Sequence, residues 1–246
     1  MLRSEMGTQK VMIKNIVSTV TALASMSLLL SGCDQPSAGC IVQDSSSWYA
    51  KYDRKPGQNI PAACDPLIPK GEPVGVFKYV DPDVADSAVL SLRPNALASR
   101  ATRDPTVNVP AQGVYPQTAI ANLDSEATSD DLCGTSNWSD ASVDAAATQT
   151  AAATQISYKY SNVRVVARAD APGTQMGGDI TYTRTQDGLT CTVELEMKAM
   201  WPAIPCDPED ANSCSPEHNI SPVYAAVCDP DLEFCVPAKA FPSYAE

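Results

Sequence analysis

The chain has 246 residues, of which 44% are hydrophobic, enough for a sizeable core and too many for a wholly disordered protein. Its net charge of −12 and pI near 4.4 repel phosphate backbones and exclude nucleic-acid binding. A single histidine, His218, removes most zinc, haem and paired-histidine chemistry.

The N-terminus reads as an address. Arg3, Lys10 and Lys14 form a positive leader opposed only by Glu5. An apolar run from Ile16 to Leu30 follows, softened by Ser18, Thr19, Thr21, Ser25 and Ser27. It is too short and too polar for a bilayer span, which needs about 20 apolar residues, and it suits the core of a signal peptide. Met6 and Met12 are alternative starts that leave this reading intact. The run ends in Leu30-Ser31-Gly32-Cys33, which resembles the lipobox of bacterial lipoproteins. That resemblance covers residues 1–33 and implies cleavage before Cys33. It further implies a diacylglyceryl group on the thiol, a third acyl chain on the freed amine, and a lipid bilayer as the partner of the anchor. Several acyl chains make a firm anchor where one is marginal. Asp34 matches the enterobacterial signal for inner-membrane retention, but the outer membrane is the commoner destination and the expected one. The leader holds three basic residues and one acidic residue, so its removal leaves a net charge of −14.

The expected organisation is a signal peptide over 1–32, a lipid anchor and polar tether over 33–60, and one β-rich domain over 61–246. Serines 37, 45, 46 and 47 dominate the tether, ahead of Trp48, Tyr49 and Tyr52. Pro61, Pro66, Pro69 and Pro73 forbid helix over residues 61–75. Val74–Val80 reads as a strand from its β-branched and aromatic residues, Val74, Val76 and either Phe77 or Tyr79, ended by Asp81-Pro82-Asp83. Val89–Arg93 is a second short strand. Residues 95–117 are irregular, broken by Pro105, Pro110 and Pro116. Asp140–Gln155 reads as either a short alanine-driven helix or a surface loop.

The clearest pattern spans Ile156–Ala203. Ile156–Tyr160, Asn162–Ala169 and Asp179–Thr185 alternate as strands. Gln186-Asp187-Gly188 signals a hairpin. Leu189, Cys191, Val193, Leu195 and Met197 then alternate with Thr190, Thr192, Glu194, Glu196 and Lys198, a strand with one wet face. Beyond Pro205 the chain reads as a cysteine-rich segment over 206–246, with Cys-Asp-Pro turns. The fold class is mainly β, an antiparallel meander or sandwich with long irregular loops stapled by disulfides.

Setting aside Cys33, eight cysteines remain: Cys40, Cys64, Cys133, Cys191, Cys206, Cys214, Cys228 and Cys235. An even number in an exported chain predicts four disulfides, with 105 possible connectivities. Cys133 is one candidate partner for Cys191. The last four cysteines lack CxxC spacing, which argues against both zinc and a redox centre.

The sequence contains no GxSxG, HExxH or P-loop motif. His218 reads as a surface residue. Asp81-Pro82-Asp83 with Asp86, and Asp207-Pro208-Glu209-Asp210, are acidic loops that offer oxygen ligands for calcium without EF-hand spacing. Trp48, Tyr49 and Tyr52, or Tyr158, Tyr160 and Tyr182, could form a sugar or peptide platform, but core packing is the commoner use of such residues. No catalytic residue and no metal ligand is assigned. Two readings remain: a non-catalytic envelope lipoprotein that binds a protein or glycan or serves a structural role, and a hydrolase with paired carboxylates in a loop-lined cleft.

Overall fold

The computed structural model describes residues 40–80, 83, 88–107 and 115–245. The leader, the lipobox and Cys33 lie outside the described residues, as do Asp81, Pro82 and Asp86. Eleven strands are present among the described residues: β1 (Ser45–Arg54), β2 (Gly71–Val80), β3 (Ala88–Pro94), β4 (Ala119–Leu123), β5 (Leu132–Ser136), β6 (Ala141–Ala145), β7 (Thr154–Val166), β8 (Gln175–Gln186), β9 (Leu189–Met200), β10 (Ala226–Asp229) and β11 (Phe234–Pro237). One short helix, α1 (Asn95–Ala98), follows β3.

Nine of these strands form one antiparallel sheet in the order β5-β4-β3-β2-β1-β9-β8-β7-β6, and β5 also pairs with β7. The extra pairing joins Leu132 to Val166, Cys133 to Val165 and Gly134 to Arg164. It closes eight strands into a ring, with β6 continuing along the edge of β7. The expected meander is therefore realised, but it curls onto itself instead of facing a second large sheet. A ring of eight strands is just wide enough for side chains to fill.

Alternation sets what goes inside. Along β9, Cys191, Val193, Leu195, Met197 and Ala199 are buried, while Thr190 and Thr192 are exposed. The β8–β9 hairpin turns at Asp187 and Gly188, both at positive φ, as a two-residue turn requires. In β7 the buried set runs Ile156, Tyr158, Tyr160 and then shifts to Val163 and Val165. A register shift between Ser161 and Arg164 causes this change of phase, with Asn162 in the left-handed region that Asn tolerates. Apolar residues thus point inward, and threonines and charges point outward. A membrane-spanning barrel has the opposite arrangement.

Four sequence expectations need correction. The prolines do not forbid helix over 61–75, since Ala62–Leu67 forms a 3-10 helix that holds Pro66. Ser45–Arg54 is not tether: it is β1, paired with both β2 and β9. Its serines hide a strand buried on both faces, with Trp48, Ala50 and Tyr52 inside and Tyr49 stacked on Phe234 at 4.0 Å outside. The folded body therefore begins by Cys40, ahead of residue 61. Asp140–Gln155 is neither helix nor loop throughout, because Ala141, Val143 and Ala145 are the buried face of β6. Cys191 pairs with Cys64, not Cys133, and Cys133 pairs with Cys40.

The remaining bonds are Cys206–Cys228 and Cys214–Cys235, both within the C-terminal segment. This segment lies against the outer wall. Lys51 donates to Asp229 at 2.7 Å, and Gln175 accepts from the Ser243 N–H at 2.6 Å. Phe241 sits over Gly177, where a Cβ would collide with its ring.

Cys64 lies in a 3-10 turn over Ala62–Leu67, and its bond to β9 clamps that turn against the strand. Replacing Cys64 and Cys191 together with Ala is expected to cost about 2–5 kcal/mol in a urea melt. An unchanged midpoint would contradict the clamp.

Candidate functional site

The aromatic residues flagged in the sequence are core. Trp48, Tyr49, Tyr52, Tyr158, Tyr160 and Tyr182 are all buried, so neither group forms a surface platform. Tyr158 makes an edge contact with Tyr182 at 5.0 Å and lies 6.1 Å from Tyr160. Among them sits Glu72, which is 7% exposed. Its Oε1 accepts from the Tyr158 hydroxyl at 2.6 Å and the Tyr52 hydroxyl at 3.1 Å, and its Oε2 accepts from the Ala96 N–H at 2.5 Å.

Burial pushes the Glu72 pKa up, opposed by these three hydrogen bonds and by the nearby charge of Arg100. Burial likewise drives Tyr52, Tyr158 and Tyr160 well above the usual tyrosine value. Tyr182 is pushed up to about 12. These hydroxyls therefore stay protonated: Tyr52 and Tyr158 donate to Glu72 and Tyr182 to the Leu67 carbonyl, while the buried Tyr160 hydroxyl has no partner among the described residues. Glu72 ties α1 to the barrel interior, and buried Leu97 of α1 packs into the same core. A carboxylate that is 7% exposed and holds three donors in this way is bound into the core.

A polar cleft of about 420 Å³ lies along β6, β7 and β8, with Asp104 and Asp144 on its lining. The hydrolase reading asks for two carboxylates in one cleft, and here they would be Asp104 and Asp144 on a lining drawn mostly from strands. Burial works against the Asp104 charge, but donors from Thr106 and the Asp144 N–H outweigh it and hold its carboxyl below the usual carboxylate range. An acid held ionised has no proton to give to a leaving group at neutral pH. The cleft lining includes no aromatic ring.

A second groove of about 310 Å³ opens on the outer wall of β2, β3 and β4. It is lined by Phe77, Tyr79, Ser91, Arg93, Tyr115, Thr118 and Ile120. Register explains the cluster: Phe77 stands beside Ser91, and Ser91 beside Ile120. Because Val74 and Val76 face inward, Phe77 and Tyr79 must face out. Tyr79 is 58% and Tyr115 is 46% exposed. The Arg93 guanidinium lies 5.8 Å from the centre of the Tyr115 ring. Its Nε is buried and has no hydrogen-bond partner among the described residues. An unmade buried donor costs about 1–3 kcal/mol. This groove is the candidate site. Strict period-two reading from Val74 and Val76 would have exposed its floor, but no local signal marks Tyr115.

Other flagged residues are accounted for. His218 ends an exposed 3-10 turn over Pro216–His218. The Asp207 and Asp210 carboxylates accept from the Glu209 and Asn212 N–H groups, as in ordinary turns. The sulfurs of Cys206, Cys214 and Cys228 lie within 4.8 Å of one another, but each is in a disulfide. No helix among the described residues is long and apolar enough to cross a membrane.

Comparison with known proteins gives one clear relationship. A family model, MlpA, matches residues 46–202, a stretch that starts in β1 and ends just past β9. A Myxococcus xanthus protein named "Putative lipoprotein MlpA" is 39% identical over 245 positions, covering 95% of this chain and all of the relative. No solved structure matches.

Glu72→Leu would leave two tyrosine hydroxyls and the Ala96 N–H without an acceptor, an expected loss of about 3 kcal/mol or more, against roughly 1 kcal/mol for Glu72→Gln. The Glu72 pKa in the folded protein lies above its ordinary 4.5, so the stability from its proton is full below 4.5 and fades as pH rises through the raised value. The melting advantage of wild type over Glu72→Gln should therefore shrink with rising pH. An advantage that grows would contradict the burial argument.

Proposed function

The chain belongs to the MlpA family, and on that premise we propose that this lipoprotein is held at the cell envelope by acyl chains on Cys33 and acts by binding, not by catalysis. The observation that carries the binding reading is the outer-wall groove, with exposed aromatic rings and a guanidinium donor left unpaired in the free protein.

The order of charge, apolar run and Cys33 supports the anchor, and the polar outer wall supports a barrel body that stays out of the bilayer core. The carboxylate chemistry of a hydrolase finds little support. Glu72 is sealed, and Asp104 is held ionised. The outer membrane is the favoured destination, and Asp34 is the residue that would redirect the protein inward.

Cell fractionation of wild type and Cys33→Ala tests the anchor. Wild type should sediment with membranes and be freed by detergent but not by salt, whereas Cys33→Ala should be recovered free of membrane. Undiminished membrane association of Cys33→Ala would contradict the anchor.

A further inference from the structure

We propose that the groove between Tyr79 and Tyr115 binds a carboxylated saccharide, namely a uronic acid unit of a polysaccharide chain; this rests on reading the outer wall as the binding surface. Its chemistry comes in two parts. Phe77, Tyr79 and Tyr115 supply ring faces and edges on which the C–H face of a pyranose can lie. The Phe77 ring folds back over Gly75, where a Cβ would stand 3.3 Å from it. A Cβ at Gly75 would require that ring to give by a few tenths of an ångström.

The polar part is Arg93. Its flat fork of donors matches a carboxylate with two parallel hydrogen bonds, a fit that a point charge such as lysine lacks. The buried Nε makes no hydrogen bond among the described residues, so a carboxylate would meet the terminal nitrogens of the fork, which the Tyr115 ring beside the guanidinium helps to hold in place. Ser91, 3% exposed, donates its Oγ–H to the Phe77 carbonyl at 3.3 Å and forms part of the groove floor. At about 310 Å³ the groove sits at the low end of ligand pockets, room for one or two sugar units.

Charge and topology narrow the class. One guanidinium balances one carboxylate. The surrounding acidic protein disfavours densely charged ligands such as nucleic acids. A peptide commonly binds by adding a strand to a free sheet edge. At this groove β3 is paired on both sides, with β2 and β4, whereas β2 from Phe77 onward is paired with β3 alone, its ladder with β1 ending at Val76. β3, which carries Ser91 and Arg93, therefore offers no free edge, and recognition at Arg93 runs through side chains.

The test is isothermal titration calorimetry on the full anchored protein in detergent. The ligands are digalacturonate, a neutral galactose disaccharide, and a short N-acetylated peptide with a free C-terminal carboxylate. Digalacturonate should bind at least tenfold more tightly than the neutral disaccharide. Arg93→Gln should bring it down to the neutral level, and Arg93→Lys should restore only part of the difference. Arg93→Gln gives up the Tyr115 contact but no hydrogen bond at Nε, so it should melt close to wild type. If it does not, Tyr115→Ser removes the ring wall instead and should weaken binding of the acid. Equal binding of the acidic and neutral sugars would overturn the proposal, as would binding untouched by Arg93→Gln. Peptide binding that depends on Arg93, without sugar binding, would overturn the saccharide and leave the wall as a binding surface. Silence from all three ligands with folded protein would overturn both.

Discussion

Three residue pairs between β5 and β7 turn a long antiparallel meander into a closed ring, and the rest of the structure depends on that seam. Without it the sheet would expose its apolar face and leave two unpaired edges. With it, one face of every strand becomes core and the other becomes outer wall. The seam is reinforced covalently. Cys133 of β5 is bonded to Cys40, the start of the described chain, beside its own pairing with Val165. At the other end of the barrel, Cys64 bonds a 3-10 turn to β9, close to the α1 helix that Glu72 holds. The two long-range disulfides therefore secure the two ends of the barrel.

Closure also dictates side-chain size. Four tyrosines occupy the interior, and a ring of eight strands has no spare width for more of their kind. The facing strands supply small residues: Ala119 and Ala121 in β4, and Ala141 and Ala145 in β6, with Ala141 paired beside Tyr158. A buried carboxylate is tolerable in this setting because three donors converge on it and none of them is spare. On the binding reading proposed above, the same closure moves recognition outward. What the barrel offers a partner is its wall, and among the described residues the β2–β4 face combines exposed aromatic rings with an unpaired donor.

These demands explain what the sequence could and could not reveal. β9 and its hairpin were legible because one face is apolar and the other is wet, the condition under which alternation survives. β2, β3, β7 and β8 followed for the same reason. β1 was hidden because both faces are covered, the outer one by Phe234 of the C-terminal segment, and its serines resemble linker. β4 and β6 were hidden because a tyrosine-filled interior selects alanine, which carries helix propensity and little strand signal. Disulfide pairing is a property of the closed ring, so spacing along the chain could not yield it. The groove joins Tyr115 to strands more than twenty residues upstream, a juxtaposition with no local trace.

The central claim is that the barrel is shut and works from its outer wall. Native-state amide hydrogen exchange across the seam tests this most directly. The account predicts that amides of Leu132–Gly134 and Arg164–Val166 exchange with the same free energy as the central β8–β9 ladder, opening only on global unfolding. Exchange at the seam through a much cheaper local opening, with β8–β9 still protected, would contradict it. The interior, with Glu72 and its tyrosines, would then be open to solvent and ligands.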